Sequence, residues 1–152
     1  MTQLSKNFTL AELCKSEVAI RRNIDNTPSE NVKNNLHILV ANVLQPLRDK
    51  FGPVTINSGY RSPAVNTAVG GSPYSDHCLG MAADIEIVGV DNKQLAEFIK
   101  DNFKFTQLIL EFYTDGVPDS GWVHVSYDEK DLKCNVLRAV KENGKTVYHK
   151  GI

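Results

Sequence analysis

Two histidines and an aspartate are the residues of this chain best suited to chemistry. His77 opens a His77-x6-Asp84 spacing, and His124 follows far downstream within Trp122-Val123-His124-Val125-Ser126. Two imidazoles and one carboxylate are a suitable donor set for a catalytic zinc, which keeps its fourth position for water. Each piece is weak alone. A lone histidine is more often hydrogen-bonded or at the surface than a ligand, and Asp84 with Glu86 taken alone reads as a solvated strand face. The combination supplies the specificity, provided that the chain brings positions 77, 84 and 124 together. His37, in a long helix, and His149, near the end, have no partner pattern. Cys78 adjoins His77, but neighbours on an extended segment point apart, so it reads as a small, partly buried residue.

The elements that must position these side chains follow from the sequence pattern. Thr9 with Glu12 three residues on has capping-box spacing for a short helix over 8–13. From Val32 to Lys50, Val32, Leu36, Leu39, Val40, Val43, Leu44 and Leu47 recur at helical intervals. This predicts one long amphipathic helix, bent near Pro46 and stopped by Gly52-Pro53. A short strand follows over 54–58. Residues 64–80, rich in Gly, Ser, Pro and Asn, read as loop, with Gly80 letting the chain reverse between His77 and Asp84. Further elements are a strand at 82–87, a helix at 91–101 and strands at 105–113 and 122–127. A final hairpin, 136–140 with 146–149, turns on Asn143-Gly144. Helices lead and an antiparallel sheet follows. The fold class is therefore α+β, with N-terminal helices packed on a small, mainly antiparallel sheet.

Strand alternation assigns faces. Trp122, His124 and Ser126 share one face; Gln107, Ile109, Glu111 and Tyr113 share one face of the preceding strand. A hairpin centred on Val117-Pro118 pairs Glu111 with His124 and Leu110 with Val125. A slip of two residues would preserve which face is buried.

Length and composition narrow the functional classes. The chain has 152 residues, which suits a single domain over 1–152, with its core at about 8–127 and a C-terminal hairpin at about 135–150. Seventeen Lys and Arg against eighteen Asp and Glu argue against a nucleic-acid partner. No apolar run reaches membrane-spanning length. The three cysteines are widely spaced, which argues against a disulfide framework. Residues 1–8 lack a basic stretch followed by an apolar one, so no ordinary secretory signal is expected.

Four ordered motifs resemble those of the zinc D-Ala-D-Ala carboxypeptidases and related phage endolysin peptidases of hedgehog-like fold. They are Ile56-Asn57-Ser58-Gly59-Tyr60-Arg61-Ser62, then Asn66-x-Ala68-Val69-Gly70-Gly71, then Ser75-Asp76-His77-x-x-Gly80-x-Ala82-x-Asp84, and finally Trp122-Val123-His124-Val125-Ser126-Tyr127. Phe8-Thr9-Leu10-x-Glu12-Leu13 and Val43-Leu44-Gln45-Pro46-Leu47-Arg48 match in style, so coverage runs from about 8 to 127. The resemblance implies that His77, Asp84 and His124 ligate Zn2+. It also implies that Arg61 holds a substrate carbonyl or carboxylate and that Ser75 supports the metal loop by a hydrogen bond. Trp122 is expected beside the cleft as a substrate-binding residue.

The sequence departs from many relatives at one place. The catalytic acid stands three residues before the last histidine ligand in those relatives, and Gly121 occupies that position here. Glu111 is the first candidate for the base and Asp119, in the preceding loop, the second. The implied activity is zinc-dependent cleavage of the peptidoglycan stem peptide by a monomer, at a D-Ala-D-Ala end or an internal bond. A catalytically silent, metal-stabilised binding module and a phage particle component are the alternatives. Without a signal, the expected setting is phage or prophage, with the protein made in the cytoplasm and reaching the wall after release.

Overall fold

The computed structural model describes residues 2–152. Thr9 Oγ1 accepts the Glu12 N–H at 3.2 Å and starts α1 (Leu10–Cys14); Ser16 caps α2 (Glu17–Arg22) in the same way. Ser29 caps α3 (Glu30–Leu39), which continues through a π-helical segment, Val40–Leu44, into α4 (Gln45–Phe51). The expected irregularity near Pro46 takes this form. Proline has no N–H to give to the preceding turn and its ring crowds that turn. Widening the ladder just before it, where the Gln45 N–H reaches the Val40 carbonyl, lets the helix run on to Gly52.

The apolar stripe of this long helix is buried: Leu36, Leu39, Val40, Val43, Leu44 and Leu47 are fully covered. They form one continuous cluster with Ala83, Ile85, Leu108, Leu110, Val123 and Val125 from the strands, and with Leu95 and Ile99 of α6 (Asn92–Asn102). The sheet has six strands: β1 (Thr55–Ser58), β2 (Ala82–Glu86), β3 (Gln107–Glu111), β4 (Trp122–Ser126), β5 (Asn135–Glu142) and β6 (Lys145–Lys150). Their order is β1-β2-β4-β3-β5-β6. This is an α+β arrangement with one sheet face against the core helices. Among the described residues, no helix is long and apolar enough to cross a membrane.

Every strand pair is antiparallel except β3 with β5. Residues 127–134 carry the chain past the start of β3 to its far side. Thr106 fixes this crossing: its hydroxyl donates to the Asp131 carbonyl at 2.8 Å and accepts the Asp128 N–H at 2.8 Å. β5 and β6 close on Asn143 and Gly144, which both have positive φ (52° and 77°), as the tight Asn-Gly hairpin turn requires.

Two sequence expectations need correction. Residues 64–80 are not all loop. Ser62 accepts the Val65 N–H at 3.3 Å and Pro63 occupies the first turn of α5 (Pro63–Ala68); Asp76–Leu79 forms a 3₁₀ turn. Both are too short to show an apolar period, so the Ser-Pro start was the sole signal. Cys78 accordingly lies in a helical turn rather than on an extended segment, though it is partly buried as expected. The β3–β4 register is also two residues away from the expected one: Glu111 lies opposite Trp122, and Ile109 opposite His124. The turn forms at Asp115-Gly116, where the Val117 N–H reaches the Thr114 carbonyl at 2.9 Å and Gly116 takes φ 86°. Moving the centre of the loop by one residue moves the pairing by two, and the faces are unchanged.

Gly80 ends the 3₁₀ turn at φ 73°, and a Cβ there would lie 2.7 Å from the Val32 carbonyl oxygen. Gly80→Ala is expected to destabilise the fold by about 1–3 kcal/mol. Urea unfolding midpoints of the two proteins measure it, and an unchanged midpoint would contradict the packing described.

Candidate active site

The sheet face opposite the helices forms the floor of an open cleft of about 560 Å³. Asp84 and His124 are direct neighbours across β2 and β4, so both side chains rise from the same face. The His124 Nδ1 lies 2.9 Å from Asp84 Oδ1. His77 comes from the 3₁₀ turn, and its Nε2 is 3.3 Å from the same Oδ1. Its other ring nitrogen, Nδ1, sits 2.7 Å from the Gly59 carbonyl. A carbonyl can only accept, so Nδ1 donates to it, and Nε2 is the ring nitrogen turned toward Asp84. Ser75 Oγ accepts the His77 N–H at 3.2 Å and shapes the turn that delivers the ring.

One donor atom from each of His77, Asp84 and His124 lies within 4.8 Å of the others. The donor chemistry therefore fits a divalent cation: two imidazole nitrogens converge on one carboxylate oxygen, and an outer hydrogen bond fixes the tautomer of one of them. Without a cation, the three groups compensate one another's charge. Burial alone would raise the Asp84 carboxyl pKa, but hydrogen bonds and charge from His124 and His77 hold it well below the usual carboxylate range. Burial alone would lower the His124 pKa, yet its bond to Asp84 and the charges of Asp84 and Glu111 raise it above the ordinary histidine value.

Arg61 borders this group. Its Nε donates to Ser58 Oγ at 3.1 Å and its Nη1 to Asn66 Oδ1 at 3.0 Å, while Nη2 lies 3.5 Å from Asp84 Oδ2. Asn66 is in turn buried and donates to the Ser72 carbonyl at 2.7 Å. The guanidinium is thus clamped in place, and both terminal nitrogens keep an N–H without a hydrogen-bond partner among the described residues.

Glu111 enters the cleft from β3, and Trp122 Nε1 donates to its Oε2 at 2.7 Å. Burial raises the Glu111 pKa and the negative charge of Asp84 adds to that; His124, the indole bond and Arg61 oppose without reversing it. Gly121 explains why no acid stands three residues before His124. It has φ 62°, and any side chain there would collide with the Glu111 carbonyl and the Phe112–Tyr113 peptide. The backbone carrying Glu111 fills that space. Asp119 is elsewhere: it lines a separate cavity with Glu86, Asp91 and Asn92. Glu86 is not a free strand-face carboxylate, because Asn57 and the buried Asn92 bind its two oxygens at 2.8 and 3.1 Å. Asn92 also donates to the Ser120 and Gly121 carbonyls, tying down the loop ahead of β4.

Sequence reasoning gave no role to the Gly59 carbonyl, Ser58, Asn66 or Asn92. The first three lie within motifs that were noticed, but which atoms they meet depends on tertiary contacts. Thr146 and Tyr148, from the last strand, also line the cleft, and no motif marks them.

The family described as Peptidase M15 matches residues 6–126 of this chain. No curated protein matches it.

Trp122 is the one tryptophan of the sequence, and its indole is bonded to Glu111. Its emission is expected to change as Glu111 titrates, with a midpoint above the ordinary carboxylate range because the Glu111 pKa is raised. Fluorescence against pH measures this. The transition should vanish in Glu111→Gln, and its persistence there would assign the titration to another group.

Proposed function

The chain belongs to the M15 peptidase family, and on that premise we propose that it is a zinc metallopeptidase cleaving a peptide bond of the peptidoglycan stem. The convergence of the His77 and His124 nitrogens on Asp84 Oδ1, on the floor of an open cleft beside Glu111, carries this reading.

His77, Asp84 and His124 would hold the zinc. When bound, the metal supplies Lewis acidity, which acidifies a coordinated water and polarises a carbonyl oxygen. The rest falls to side chains of the chain itself. The Glu111 carboxylate accepts the proton of the water that adds to the scissile carbonyl carbon. It then returns that proton to the leaving nitrogen as the C–N bond breaks, yielding a free carboxylate and an amine. The Trp122 N–H holds this carboxylate in one orientation. Arg61, fixed by Ser58 and Asn66, offers N–H groups to the oxygen that becomes negative during the addition. Ser75 supports the turn bearing His77. Asp119, outside the cleft, has no part in this scheme.

A stem peptide suits such a cleft because it is short, exposed and rich in small side chains, and the opening is wide and polar. Purified protein should release new amines from soluble peptidoglycan fragments, lose this activity on chelation and regain it with zinc. Glu111→Gln should lower kcat by about 10²–10⁴ while the protein still binds zinc. The acid limb of the kcat profile should disappear in Glu111→Gln, since activity needs the ionised form of that carboxyl. Full turnover in Glu111→Gln would remove the proton-transfer role; turnover unaffected by chelation would remove the metal.

A further inference from the structure

The match to the M15 family ends at residue 126, but the cleft does not end there. Thr146 and Tyr148, both on β6, complete its lining. Strand pairing explains how so late a segment reaches the site. Trp122 pairs with Glu111, Glu111 with Ala139, and Ala139 with Tyr148. These four residues form one row across four strands, and directly paired residues share a sheet face. Tyr148 therefore stands on the Glu111 side, two strand spacings or about 10 Å along the row. The residue between them is Ala139, only a methyl tall, so its own side chain puts little bulk between the tyrosine and Glu111.

Three further observations agree. Tyr148 is 54 % exposed, a large aromatic side chain left accessible at the cleft edge with no side-chain hydrogen bond among the described residues. The Phe112 and Trp122 rings, 5.4 Å apart, belong to the same lining. Phe112 holds φ at 55°, a strained conformation for an aromatic residue and one that concentrates at functional sites.

We propose that Tyr148 is a substrate-binding residue, whose ring, continuing the wall made by Phe112 and Trp122, packs against the peptide next to the scissile bond. This rests on the proposed stem-peptide substrate. The C-terminal hairpin thereby serves as one wall of the cleft. The other wall is the 70–75 loop, where Tyr74 is 91 % exposed. Contact is made by the ring face and edge, so Tyr148→Phe keeps it and Tyr148→Ala loses it.

The cleft contains its own reporter, since the sole tryptophan, Trp122, lines it. Zinc-loaded wild type, Tyr148→Phe and Tyr148→Ala are titrated with a soluble disaccharide-pentapeptide fragment of peptidoglycan, following Trp122 emission, and turnover is measured in parallel. The expected result is affinity weakened about tenfold in Tyr148→Ala, the loss of an aromatic contact near the upper end of its usual range. Tyr148→Phe stays within about twofold of wild type. In turnover, Tyr148→Ala raises KM by the same factor and leaves kcat nearly unchanged. Equal affinity in Tyr148→Ala and wild type overturns the inference while wild-type turnover keeps the proposed activity standing. A Phe variant as weak as the Ala variant overturns the ring contact. Wild type that binds but does not cleave removes the peptidase reading alone, and the ratio of affinities still judges Tyr148. Neither binding nor cleavage by wild type overturns both.

Discussion

The site is organised around one buried negative charge. Asp84 is 7 % exposed, and an ionised carboxylate removed from water is costly unless charges and hydrogen bonds replace its hydration. Two imidazoles and the Arg61 guanidinium surround it within 2.9–3.5 Å. Each partner requires its own support: the Gly59 carbonyl for His77, the β2–β4 pairing for His124, and Ser58 with Asn66 for Arg61. Much of the segment between β1 and β2 serves as scaffolding for this compensation. The same convergence makes the group suitable for a divalent cation, which would take over the balancing charge.

The sheet divides labour between its faces. Alternation sends Ala83, Ile85, Leu108, Leu110, Val123 and Val125 to the helices and Asp84, Ile109, Glu111, Trp122 and His124 to the cleft. The polar cleft face is therefore carried on strands whose opposite sides are locked into the core, and a one-residue slip in any of them would bury a polar group. Rigid mounting of this kind suits a site whose donor atoms must stay within a few tenths of an ångström of their positions.

Position 121 shows how the residue ahead of one strand is coupled to the end of its neighbour. An acid is absent there because the backbone of Glu111 and Phe112 presses against Gly121. The proposed base stands instead on β3, and Trp122, next to Gly121, holds it. The carboxylate reaches the cleft from the adjacent strand, and the close approach that brings it there is what excludes a side chain at 121.

Much of this was legible in the chain itself. Helical periodicity from Val32 to Leu47 gave the long helix, strand alternation gave the buried and cleft faces, and Asn143-Gly144 gave the final hairpin, because these signals are local and depend only on backbone periods and turn sterics. His77, Asp84 and His124 stood out as a donor set by residue type. Their convergence, the pairing of Glu111 with Trp122 rather than His124, the separation of Asp119 from the cleft and the arrival of Tyr148 in its lining were decided by tertiary structure alone. Those relations join residues up to 47 positions apart through strand register and one crossing past β3. Register is set by which turn closes each loop, a balance of small energies that composition does not display.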